Sequence, residues 1–171
     1  MNENHLILPH PVAMMTSGSA RPSTPVITPA LRNGGFETAG TAGQPFASWT
    51  KYNSGTSSVN DETSVVYAGS HSCRFDLDAT PSAVGVFQTG VLTVGGIYVV
   101  TFWGQATGTG KVRVETDLST LWTSATFAAT WAQYVSPPLT ADNANFYLSR
   151  GVGSTGGSKI YIDNVTVTRV A

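Results

Sequence analysis

Charge is what this chain has least of. Only 11% of its 171 residues are charged, against about 25% in an ordinary soluble domain, and the formal net charge is -1. Its nine Lys and Arg residues form no block, so the phosphate-neutralising surface that nucleic-acid binders need is missing and nucleic acid is excluded as an expected partner. Cys73 is the only cysteine, which rules out an intrachain disulfide framework and a multi-cysteine metal site. A small buried side chain is its expected role. The three histidines, His5, His10 and His71, are too few and too scattered for a Ser/His/Asp triad or a histidine metal centre. No apolar run reaches the length of a membrane span. The first residues also lack the pattern of a secretory signal, because Glu3 stands where a basic region belongs and Leu6-Ile7-Leu8 stops at Pro9. The expectation is a protein made in the cytoplasm that leaves it, if at all, by lysis or another route.

Thr, Ser and Gly fill the polar positions instead. Thr is β-branched and Gly supplies special turn dihedrals, so this composition suits strands and turns. Residues 1–32 differ from the rest: five of the nine prolines fall at 9, 11, 22, 25 and 29. Proline this dense prevents helix and removes ladder donors, which gives an extended, polyproline-like arm. Its apolar residues Leu6, Ile7, Leu8, Val12, Met14, Met15, Val26 and Ile27 need a surface to bury against. Docking on a partner subunit is the expected arrangement, and folding back on the chain's own domain is the other.

From Asn33 onward, short strand-like segments alternate with turn residues at intervals of about 8 to 15, the signal of an all-β sandwich. Asn33-Gly34-Gly35-Phe36-Glu37 reads as the first strand of this domain, residues 33–171. Later candidates are 46–52, 64–67, 72–77, 83–91, 97–105, 111–116, 121–127, 131–135, 144–150 and 160–168. In Lys111-Val-Arg-Val-Glu115 the valines point one way and the charges the other, and Arg74-Phe-Asp-Leu-Asp78 behaves likewise. Nothing carries a 3.6-residue period. Ten or so antiparallel strands close most stably as two face-to-face sheets, a β-sandwich of the jelly-roll type. The last strand holds a conflict: Asp163 shares a face with the core residues Val165 and Val167 unless a bulge re-phases the strand. A buried carboxylate must be paired, hydrogen-bonded or bound to a cation.

Several motifs in order carry a family resemblance. They are N-G-G-F-E at 33–37, Trp49, Tyr67-Ala-Gly-Ser-His-Ser72, Val86-Phe-Gln88, Gly96-Ile-Tyr98 with Thr101-Phe-Trp103, Thr130-Trp131-Ala-Gln-Tyr134 and Ile160-Tyr-Ile-Asp-Asn-Val165. Together they resemble the carbohydrate-binding modules of families four, nine and twenty-two over residues 33–171. The resemblance implies a non-catalytic jelly roll with one structural calcium ion where the first and last strands meet. Its ligands by position are the Glu37 and Asp163 carboxylates with carbonyls near Gly35 and Ser70, a hard-oxygen set of the kind Ca²⁺ takes. The alternative is that Asp163 bonds backbone amides of the first strand. For sugar binding the available pieces are Trp103, Trp122, Gln88, Gln105 and Arg113, while Trp49 and Trp131 match core positions.

Fold does not carry function by itself. Asp76 and Asp78, two residues apart beside Arg74, are the only carboxylate pair that suggests glycoside hydrolysis, and they read as surface charges. Two non-catalytic readings remain. The first, and the expected one, is a bacteriophage virion protein, a capsid decoration or fibre-base component. Its arm at 1–32 would hold the major capsid or another virion protein, with a homo-oligomer or a surface glycan as further partners. The second is a carbohydrate-binding module, extracellular, free-standing or attached to an enzyme.

Overall fold

The strands follow from side-chain alternation. In the computed structural model, which describes residues 31–80 and 82–171, eleven strands form in chain order. They are β1 (Thr50–Asn53), β2 (Ser58–Glu62), β3 (Ser72–Asp76), β4 (Val84–Gln88), β5 (Ile97–Thr107) and β6 (Val112–Glu115). β7 (Thr120–Thr123), β8 (Ala132–Val135), β9 (Leu139–Thr140), β10 (Phe146–Arg150) and β11 (Lys159–Arg169) complete the set. No helix occurs among the described residues. The docking residues read in the arm, Leu6 to Ile27, lie outside the described residues.

Two antiparallel sheets face each other. One runs β1-β4-β10-β6-β7, the other β2-β3-β11-β5-β8 with β9 added to β5. Their inner faces supply Val84, Val86, Val112, Val114, Phe146 and Leu148 on one side, and Phe75, Val100, Phe102, Ile160 and Ile162 on the other. None of these is more than 1% exposed. Each buried side chain of this size contributes roughly 1.5–3 kcal/mol of hydrophobic stabilisation, so the alternate residues are fixed outward by the cost of reversing the pleat. Cys73 is fully buried in this core, and burial pushes its thiol pKa well up.

Two segments differ from the sequence reading. Asn33–Glu37 is a turn rather than a strand: Asn33 and Phe36 take φ of 50° and 61°, values that an extended chain does not allow. The turn drives Phe36 into the core against Phe46 and Trp49, with ring centroids 4.9 and 5.3 Å away. The Trp49 indole Nε1 donates to the Asn33 carbonyl at 2.8 Å. The segment 64–67 is also not a strand; β2 precedes it instead. Glu62 accepts the amides of Ser64 and Val65 at 2.7 and 3.2 Å, which closes the chain into a turn there.

The conflict at the last strand is resolved by a bulge. Pairing of β11 with β5 slips between Asp163 and Thr166, and Asn164 takes φ of 47°. One extra residue flips the phase, so Val165 and Val167 rejoin Ile160 and Ile162 in the core, while Asp163 faces away from it under the loop at Tyr67.

Candidate functional site

The outer face of the five-stranded sheet is built by the residues that alternation leaves out of the core. Register places them in two rows. Tyr52, Gly85, Ser149, Arg113 and Thr123 cross the sheet in one row, and Thr50, Phe87, Tyr147, Glu115 and Thr120 in the next. Three aromatic rings therefore meet on β1, β4 and β10. Phe87 and Tyr147 stack at 4.7 Å with 17° between planes, and Tyr52 stands 6.3 Å from Phe87 and 6.0 Å from Tyr147. All three are half-buried. Gly85 makes room for this platform: a Cβ there would lie 2.8 Å from the Tyr52 hydroxyl and 2.5 Å from the Leu148 carbonyl oxygen.

Polar groups border the rings and hold them. The Tyr147 hydroxyl donates to Asp117 Oδ1, and Asn145 Nδ2 donates to Asp117 Oδ2 at 2.6 Å. Burial first, and then the bond to Asp117 and its charge, raise the Tyr147 pKa to about 12. Glu115 accepts from the Ser149 hydroxyl and from Thr120 Oγ1 at 3.0 Å, and pairs with Arg113 Nε at 3.2 Å. The result is a fixed aromatic floor with hydroxyls, an amide and carboxylates at its edge. Ring faces of this kind give large apolar contact at low entropic cost, because few torsions need ordering.

The five sugar-binding candidates from the sequence do not converge. Arg113 is on this face. Gln88 points inward, is 5% exposed, and clasps the backbone at Arg32: its Oε1 accepts the Arg32 amide at 3.1 Å and its Nε2 donates to the Arg32 carbonyl at 2.6 Å. Trp122, opposite Val114, packs on the core with its ring 6.2 Å from Phe102. Trp103 and Gln105 lie on the outer face of the other sheet. Trp131 stands half-exposed beside Tyr67 there, 6.0 Å away and edge-on, rather than in the core. Tyr52, Phe87 and Tyr147 escaped the sequence reading, since only strand register brings them together.

Glu37, Ser70 and Asp163 gather around one loop. Glu37 accepts the amides of Ser70, at 3.0 and 3.1 Å to its two oxygens, and of His71 at 3.2 Å. Asp163 Oδ2 accepts the amides of Tyr67 and Ala68 at 3.0 and 3.1 Å, and Oδ1 accepts that of Asn164 at 2.7 Å. These are amides of the 67–68 loop and of the bulge, not of the 33–37 segment. Gly35 rests against the bulge, where a Cβ would be 3.1 Å from Asn164 Oδ1. Burial raises the Asp163 pKa, the three amides counter it, and the charge of Glu37 pushes it further up. Among the described residues no three His, Cys, Asp or Glu side chains group as metal ligands. An ion here would need backbone carbonyls as well as the two carboxylates.

Several solved structures share the fold of this sandwich. A family 61 carbohydrate-binding module in complex with β-1,4-galactotriose superposes with a TM-score of 0.58 at 18% identity, covering 82% of this chain and 98% of that one. The chain has the jelly-roll fold of carbohydrate-binding modules. A family 22 xylan-binding domain from Paenibacillus barcinonensis Xyn10C matches this jelly roll with a TM-score of 0.53 at 12% identity over 85% and 94% of the two chains. The enzymatically active domain of bacteriophage CBA120 tailspike protein 4 contains a similar jelly roll, with a TM-score of 0.54 at 19% identity over 83% of this chain and 21% of that one. No protein-family model and no curated protein matches the sequence.

Proposed function

We propose that this jelly roll binds an uncharged poly- or oligosaccharide along the outer face of its five-stranded sheet and carries out no catalysis. The observation behind this reading is the Tyr52, Phe87 and Tyr147 platform. A pyranose ring offers an apolar C–H face that lies flat on such rings, and its hydroxyls meet donors and acceptors at the border. An uncharged chain suits the site, because Arg113 is already paired with Glu115 and the remaining charge nearby, Asp117, repels anionic sugars. That the similar modules were solved with galactotriose or named for xylan is consistent with a glycan ligand.

The absence of catalysis rests on where the acids lie. Asp76 is paired with Arg74 at 3.0 Å and accepts from Asn60 at 2.8 Å. Asp78 lies past the end of β3 and accepts from Thr56 and Ser82. Among the described residues neither faces a partner acid across a cleft. The binding test is retention of the protein by β-1,4-galactan, xylan and β-glucan in affinity electrophoresis. Tyr147→Ala and Phe87→Ala should each weaken binding about tenfold, equivalent to about 1.4 kcal/mol. If none of the polysaccharides retards the folded wild-type chain, the reading is wrong.

The tailspike match favours a second reading: a virion component, of capsid-decoration or fibre-base type, held to its shell by residues 1–32 and using the platform on surface glycans. Deleting residues 1–30 should then abolish particle attachment and leave the β-domain folded. A truncated domain that still decorates particles would exclude that role for the arm. Extracellular placement goes with the first reading and the virion with the second.

A structural calcium ion at Glu37 and Asp163 is proposed with either. The donor set suits a hard cation, since among the described residues no Lys or Arg pairs with either carboxylate and Asp163 Oδ1 accepts a single amide. The ion would neutralise two acids that repel one another.

A further inference from the structure

We infer that the outer face of the six-stranded sheet holds a second binding cleft, built on Trp103, for a small uncharged polyhydroxylated ligand of the size of one or two sugar units. It is separate from the aromatic platform, because the two lie on opposite faces of the sandwich.

A cleft of about 430 Å³ opens where the 34–35 turn meets β5, β8 and the bulge of β11. That volume is within the range of roughly 300–1,000 Å³ typical of small-molecule sites. Trp103, Thr101, Gln133, Asn164 and Thr166 line it beside Gly34. One side of the Trp103 ring is covered by Tyr67, stacked at 3.9 Å with 11° between planes. Tyr67 is not part of the lining, so the indole meets the cleft with what Tyr67 leaves bare. The stack is braced from outside: Trp131 stands edge-on to Tyr67 at 6.0 Å, and the Tyr67 amide is held by Asp163 at 3.0 Å. An indole fixed before the ligand arrives loses little entropy on binding.

The lining chemistry selects the ligand class. Two hydroxyls and two amides converge with no charged side chain among them, and each can both donate and accept, as a sugar hydroxyl does. A charged ligand would find no counter-charge there. Among the described residues none of these four side chains, nor the Trp103 indole N–H, is engaged in a hydrogen bond; the bond from Asn164 to Asp163 is made by its backbone amide and not by its side chain. On the platform, by contrast, Tyr147, Ser149 and Glu115 are already tied to neighbours. The bulge aims Asn164 at φ 47°, and re-aiming a side chain is a common effect of such a bulge.

The test is nuclear magnetic resonance of the full chain, reading the four tryptophan indole signals and the side-chain amides. Trp103→Phe assigns the Trp103 signal. Methyl β-D-galactopyranoside, methyl β-D-glucopyranoside, methyl β-D-xylopyranoside and their β-1,4-linked disaccharides are the probes, with glycerol as control. A saturable shift of the Trp103 indole and of the Gln133 and Asn164 amides is expected with at least one sugar and not with glycerol. Gln133→Ala, an exposed change on β8, should weaken it about tenfold, and Tyr147→Ala should leave it intact. No saturable shift, an equal shift with glycerol, or a shift lost in Tyr147→Ala would overturn the second cleft. So would binding that emerges only after residues 1–30 are deleted, which would show that the chain itself fills the cleft. Retention by polysaccharide that depends on Tyr147 reports on the platform alone, so failure at either site is seen separately.

Discussion

Asp78 shows how one carboxylate can tie two distant segments of this fold to pH. It accepts from the Ser82 hydroxyl at 2.6 Å, from the Ser82 amide at 3.2 Å and from the Thr56 amide at 3.2 Å. The Ser82 hydroxyl is the largest influence among those that hold its pKa down from 3.8 to about 2. A folded-state pKa below the unfolded one means that the unfolded chain binds more protons. The contribution of Asp78 is therefore complete above pH 3.8 and is lost as pH falls through about 2. Asp142 is shifted in the same direction by the Ser119 and Thr116 hydroxyls, so the two acids share this acid limb. Urea unfolding across the window should show Asp78→Asn with a shallower loss of stability on acidification than wild type, without abolishing it. Parallel curves would mean that the carboxylate is not held by these donors in solution. Asp163 works in the opposite sense: burial raises its pKa, so its ionisation at neutral pH opposes folding.

At the scale of an element, the bulge in β11 does the most to shape the molecule. It keeps Val165 and Val167 in the core, turns Asp163 onto the 67–68 loop and places Asn164 in the cleft. A left-handed residue at 164 is tolerable because Asn accepts that region more readily than most side chains. Asn164→Val should cost about 1–2 kcal/mol in urea unfolding, whereas Asn164→Gly should stay within about 0.5 kcal/mol of wild type. Equal losses in both would mean that φ is not the constraint. Much of this was legible in sequence. Alternation in 74–78 and 111–115 assigned the inward residues of β3 and β6, and the place of Asp163 on the face of Val165 and Val167 already posed a choice between a bulge and a buried carboxylate. The strand read at 33–37 failed because two consecutive glycines leave the backbone free to turn, and what decides their conformation is the fit of Phe36 beside Trp49. The platform was illegible for a different reason. Tyr52, Phe87 and Tyr147 each sit at an unremarkable outward position, and nothing local reveals that β4 lies between β1 and β10.

At the scale of the whole molecule, the two ends of the domain are joined. Gly34 accepts the Val165 amide at 2.8 Å, and Glu37 and Asp163 both grip the loop from Tyr67 to His71. Two carboxylates at one junction, with no Lys or Arg paired to either among the described residues, leave a repulsion that the amides offset and a divalent cation would remove. A ligand that binds only the folded state adds RT ln(1 + [L]/Kd), about 2.7 kcal/mol when calcium is in hundredfold excess over Kd. For a domain of this length each kcal/mol moves Tm by roughly 2–4 °C. Scanning calorimetry of the same preparation in millimolar calcium and in excess chelator should thus give midpoints about 5–10 °C apart. Glu37→Gln should shrink that difference and lower the chelated midpoint far less, because calcium loses an anionic ligand while the loop amides keep an acceptor. Identical midpoints with and without chelator would remove the ion and leave the backbone amides as the whole closure of the two ends.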